Sequence, residues 1–160
     1  MEYKITITTT QTDYKGKSIF EHAANDLMID ETFSMIDEEG VMSTSLFGTL
    51  DSNGCEYTLR YEEENENMGN TFTEVRFNSE RLNELSLVRT GEVESFMTFE
   101  EGKRHICVYE TGIMPFEICI FTRSLDNRLL TEGTLNIKYI VEIKGACAQQ
   151  TEFKMEIVRV

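Results

Sequence analysis

One stretch of the chain carries most of the side chains able to do chemistry. Between 104 and 123 it holds His105, Cys107, Tyr109, Glu117 and Cys119, with Arg104 and Arg123 near the ends. A hairpin turn centred on Ile113 sets Cys107 opposite Cys119, Tyr109 opposite Glu117 and His105 opposite Phe121. Period two then places all six on one face, with Ile106, Val108, Ile118 and Ile120 on the other. Imidazole, phenol and carboxylate within hydrogen-bond reach can relay protons. A histidine, two thiols and a carboxylate suit a soft metal such as zinc, and facing thiols suit a redox couple. The plainer alternatives are preferred: His105 bonds a nearby carboxylate or carbonyl, Tyr109 packs its ring, and the cysteines are small buried hydrophobes. Gly112 and Pro115 also permit a bulge, and a slip of one residue breaks the pairing. No nucleophile elbow or second ordered partner supports catalysis. The expectation is a non-enzyme, with no catalytic residue, metal or cofactor.

Binding chemistry is the stronger expectation. Arg89, Arg104 and Arg123 stand near strand ends in an acidic chain. An arginine turned into a barrel mouth can grip a carboxylate or phosphate with two parallel hydrogen bonds. Turned outward, the preferred reading for each arginine taken singly, it pairs with a neighbouring glutamate, worth under about 1 kcal/mol. The residues expected to line a ligand site are Arg89, Arg104, His105, Tyr109 and Glu117. No Walker pattern, H-E-x-x-H or EF-hand loop occurs.

These residues must be positioned by strands, because the dominant period is two. Tyr3, Ile5 and Ile7 alternate with Lys4, Thr6 and Thr8; Leu135, Ile137, Tyr139, Val141 and Ile143 share one face further on. Segments of this kind number about ten. Asp51-Ser52-Asn53-Gly54 favours a tight hairpin, and Thr90-Gly91, Glu101-Gly102, Glu132-Gly133 and Lys144-Gly145 punctuate the rest. Gaps this short leave no room for parallel crossovers. The expected fold is all-β: one domain over 1–160, an antiparallel meander of about 8–10 strands closed into a barrel, with a two-sheet sandwich as the alternative. One segment departs from the pattern. Ser18 and Glu21 have capping-box spacing, and Phe20, Ala23, Ala24, Leu27 and Met28 recur at helical intervals. This predicts a short helix near 19–28, with His22 on its surface, inside an insertion at 17–40.

Phe99-Glu100-Glu101-Gly102-Lys103-Arg104-His105, followed by Tyr109-Glu110-Thr111-Gly112, resembles a known pattern, as do Arg89-Thr90-Gly91 and Ile118 to Thr122. Together they are similar to the YwiB-like family of small calycin-like (lipocalin-like) β-barrels from Gram-positive bacteria, which have no established function. The resemblance covers roughly 43–160 and, more weakly, the first strand. It implies a lipocalin-like barrel and no activity. The insertion and the cysteines fall outside the shared pattern.

Composition narrows the partners. Fifteen Lys and Arg against 29 Asp and Glu leave a net charge of −14, which repels nucleic acid and anionic lipid. The start of the chain lacks a basic region followed by an apolar run, and four cysteines occur without a C-x-x-C pair, so the expected setting is the cytoplasm. Three functions follow in order of preference. The first is a barrel holding a small amphipathic or anionic ligand in a cavity near Arg104 and His105. The second is a filled barrel that binds a protein through an outer apolar patch. The third is an enzyme using His105, Tyr109 and Glu117.

Overall fold

The alternation of apolar and polar residues becomes ten strands in chain order. They are β1 (Glu2–Tyr14), β2 (Met35–Asn53), β3 (Glu56–Asn65), β4 (Gly69–Asn78), β5 (Arg81–Gly91), β6 (Glu94–Glu100), β7 (Arg104–Glu110), β8 (Pro115–Arg128), β9 (Thr134–Ile143) and β10 (Ala146–Arg159). The computed structural model describes residues 1–14, 35–65, 69–91, 94–110 and 115–160, with the backbone alone at 14, 35–39, 65, 109 and 116. Every strand is antiparallel to its neighbours in sequence, and β1 pairs with both β2 and β10. Ile5 accordingly stands opposite Leu46 on one side and Ile157 on the other, and the meander closes on itself. The expected barrel is found; the sandwich is not. Among the described residues its weakest seam lies between β6 and β7, which pair at Glu94–Glu110 and Ser95–Tyr109.

The helix expected at 19–28, with His22 on it, lies outside the described residues. Among the described residues there is no helix, and β2 already begins at Met35, within the stretch assigned to an insertion at 17–40.

The inward positions divide the barrel into two halves of different character. At the end where β1 begins, large side chains fill the interior: Ile5, Leu59, Val75, Phe77, Leu85 and Leu135 are all buried. Tyr57 and Phe77 stack there with centroids 5.5 Å apart. Removing this much apolar area from water is the main stabilising term, roughly 1.5–3 kcal/mol for each such side chain. Gly48 marks a close approach: a Cβ at this position would sit 2.4 Å from the Arg60 carbonyl oxygen and 2.6 Å from Ile5 Cδ1. Among the described residues, the interior at the other end is open.

Candidate functional site

The open half holds a cavity of about 590 Å³. Its floor and far wall are apolar, formed by Phe99, Ile118, Ile120, Ile137, Val141 and Phe153. Its mouth is polar, with Glu63, Glu64 and Thr71 on β3 and β4 and Gln11 and Gln149 on β1 and β10. Among the described lining residues Arg89 of β5 is the one cation. In the closed ring β5 and β10 are five strands apart in either direction, so Arg89 faces the wall that carries Phe153. A polar rim over an apolar floor is the arrangement of a small-molecule pocket, and the volume falls in the usual range of about 300–1,000 Å³.

Arg89 belongs to a row of polar residues running straight across the strands. Tyr61 stands opposite Thr73, Thr73 opposite Arg89, Arg89 opposite Ser95, and Ser95 opposite Tyr109. Direct partners in an antiparallel pair share a face. Tyr61, Thr73 and Ser95 are 4%, 1% and 5% exposed, so that face is the inner one. The Tyr61 hydroxyl, Thr73 Oγ1 and Ser95 Oγ are all buried without a hydrogen-bond partner. Each such group costs roughly 1–3 kcal/mol. Burial pushes the Tyr61 phenol well above its ordinary pKa. The Glu63 charge adds to the rise; Arg89 and the Thr73 hydroxyl, close by but outside hydrogen-bond geometry, oppose it. The phenol stays protonated and available as a donor.

The residues expected to form the site are dispersed. Arg89 lines the cavity. Arg104 is exposed on the outer surface, where its Nε lies 3.2 Å from Glu142 Oε1 and its guanidinium carbon 4.4 Å from the Phe121 ring centroid. His105 Nε2 is 3.1 Å from Glu100 Oε1, beside the β6–β7 turn at the filled end. Glu117 is exposed opposite Val108. Tyr109, placed by its backbone, stands opposite Phe116 rather than Glu117. The cavity therefore reaches the Arg89 end and not the Arg104 and His105 end.

The pairing expected across 104–123 is displaced by one residue. Cys107 stands opposite Ile118, His105 opposite Ile120, and Ile106 opposite Cys119. A turn centred on Ile113 needs an odd number of linking residues, whereas four positions, 111–114, separate Glu110 from Pro115. One step in register reverses the face. Cys107 is buried inside and Cys119 lies outside, so the two thiols do not meet, nor does Glu117 join His105. Burial is the main cause that raises both thiol pKa values. Lys103 and His105 hold the Glu100 carboxyl below its usual range. Among the described residues no three His, Cys, Asp or Glu side chains converge as a metal site.

Tyr61, Thr73 and Ser95 escaped the sequence reading, although a signal was present. Each occupies a core-facing place in the alternation, beside Leu59, Val75 and Met97 respectively, where a hydrophobe is the norm.

The family model described as "Domain of unknown function (DUF1934)" matches residues 28–157. Among solved structures, the crystal structure of the ywiB protein from Bacillus subtilis is similar, with a TM-score of 0.63 over 99% of this chain and 94% of that one. The two share 17% sequence identity, a level at which the likeness is one of fold. No curated protein matches the chain.

Proposed function

The chain belongs to the DUF1934 family, a family of unknown function, and from that premise we propose that its barrel is a non-enzymatic binder of a small amphipathic ligand. The observation that carries this function is the cavity of about 590 Å³, apolar on its floor and polar at its mouth. A solid interior would have removed it. In this proposal the barrel works as calycin-like barrels do, with the ligand enclosed between the strands rather than held on a surface loop. The proposed setting is the cytoplasm, in keeping with four free cysteines that a reducing compartment preserves.

A second function, docking of a protein partner, is favoured by one observation. Phe96, Ile106 and Val108 are 54%, 68% and 51% exposed on the outer face of β6 and β7. An enzyme at His105, Tyr109 and Glu117 has less support, because Glu117 is exposed on the outer face of β8, opposite Val108, while His105 stands opposite Ile120.

Native mass spectrometry of the full chain, purified from cells without denaturation, tests the proposal. The expected result is a bound small molecule that is lost on unfolding and absent from a Val141→Phe variant, whose ring would occupy the cavity. A retained protein partner with an empty barrel would favour the second function instead.

A further inference from the structure

The cavity has a directional polarity that its volume alone does not convey. Arg89 lines the cavity, and the register sets Thr73 and Ser95 on its two sides and Tyr61 one strand further on, next to the lining rather than part of it. Those three hydroxyls are at least nine-tenths buried and have no hydrogen-bond partner among the described residues. Arg89 itself interacts within the protein. Open hydrogen-bonding capacity remains on the hydroxyls that the register sets beside this positive charge. Across the ring, the wall formed by Ile118, Ile120, Ile137 and Phe153, with Tyr139 among them, is mainly apolar and suits an aliphatic tail.

We propose that the ligand is an aliphatic monocarboxylic acid, its carboxylate held by Arg89, with the hydroxyls of Tyr61, Thr73 and Ser95 beside that arginine in the row. This rests on the proposed binding function of the cavity and adds the chemical class of its occupant. A carboxylate is an acceptor with two oxygens and about four lone-pair sites, which matches one guanidinium and several O–H donors. A dianionic phosphate fits less well. Among the described residues the site has one cation, while Glu63 and Glu64 line the same mouth and repel a second negative charge. A neutral head would satisfy the hydroxyls but make no use of the arginine.

The test is a calorimetric titration of the full chain, unfolded and refolded to remove any retained ligand, with dodecanoate, dodecanol and dodecyl phosphate at pH 8. Dodecanoate is expected to bind at least about tenfold more tightly than either comparator. Arg89→Gln should abolish that preference, and Thr73→Val and Ser95→Ala should each narrow it; the last two are near-isosteric and preserve the fold. Dodecanol binding as tightly as dodecanoate would overturn the carboxylate assignment and leave the cavity as an apolar binding site. Tighter dodecyl phosphate would replace the carboxylate with a phosphate. Failure of all three to bind the refolded barrel would overturn the cavity function itself.

Discussion

Thr73 of β4 stands directly across from Arg89 of β5, buried beside a guanidinium with its own hydroxyl unpaired. Stability alone disfavours this arrangement, since a buried hydroxyl without a partner loses its bonds to water and gains none. Thr73→Val should therefore leave the ligand-free protein as stable as the parent or more stable by about 1 kcal/mol. Urea unfolding of the two refolded proteins measures this. A loss of more than about 1 kcal/mol would show that the hydroxyl is well bonded in the empty barrel.

Gly48 allows the β2 and β3 strands to pass over Ile5. A methyl group there meets the Arg60 carbonyl and Ile5 Cδ1 inside van der Waals distance, and the backbone oxygen cannot move aside cheaply. Gly48→Ala should destabilise the barrel by about 1–3 kcal/mol through overpacking. Thermal unfolding should show a clearly lowered Tm. An unchanged Tm would mean that the strands slide apart freely at this point.

The β9–β10 hairpin is closed by Lys144 and Gly145, both at positive φ, +52° and +79°. Two successive positive φ values are the mark of a type I′ turn, whose preferred first residue is asparagine. Lys144→Asn should stabilise the protein by about 1 kcal/mol, because asparagine tolerates the left-handed region that lysine resists. Urea midpoints check the sign; a destabilised variant would indicate a lysine contact that outweighs the strain.

Much of this architecture was legible because period two holds over long stretches of the strands, slipping only locally, as between Thr122 and Ser124 and between Cys147 and Gln149. Ile5 and Ile7, Leu59 and Tyr61, Leu135 and Ile137 each occupy the inner face that their alternation predicts. What alternation cannot supply is the length of a connection. The linker between β7 and β8 has four positions, not an odd number, and that single difference sent Glu117 and Cys119 outward. The location of the cavity was hidden for another reason. It depends on how side-chain volumes from ten strands sum around a closed ring, with Phe77, Tyr57 and Leu85 filling one end while Thr9, Thr44 and Thr71 stand near the mouth at the other. The polar row was legible in principle, since Thr73 and Ser95 interrupt core-facing positions. Only the strand order shows that they flank the same arginine.

On the outer face, Glu74 accepts hydrogen bonds from Arg60 Nε at 2.9 Å and Arg76 Nε at 2.8 Å. The Arg76 and Arg60 hydrogen bonds hold its carboxyl below the usual range. A depressed folded pKa contributes stability above the unfolded value, about 4.3 for glutamate, and loses it as pH falls through the folded value. Solvent screening keeps the contribution under about 1 kcal/mol. Glu74→Gln should cost up to that amount at pH 7 and nothing in acid below the folded value. Urea midpoints at the two pH values test this; an equal cost at both would assign the effect to packing.

The central claim is that the ligand enters the barrel rather than resting on its outside. Methyl-labelled protein titrated with dodecanoate and followed by NMR tests it most directly. Binding inside predicts shifts at Ile7, Leu87, Ile118, Ile120, Ile137 and Val141, which line the cavity, with none at Ile106, Val108 or Val158, which face solvent. Shifts confined to the three outer residues, or none at all, would contradict it.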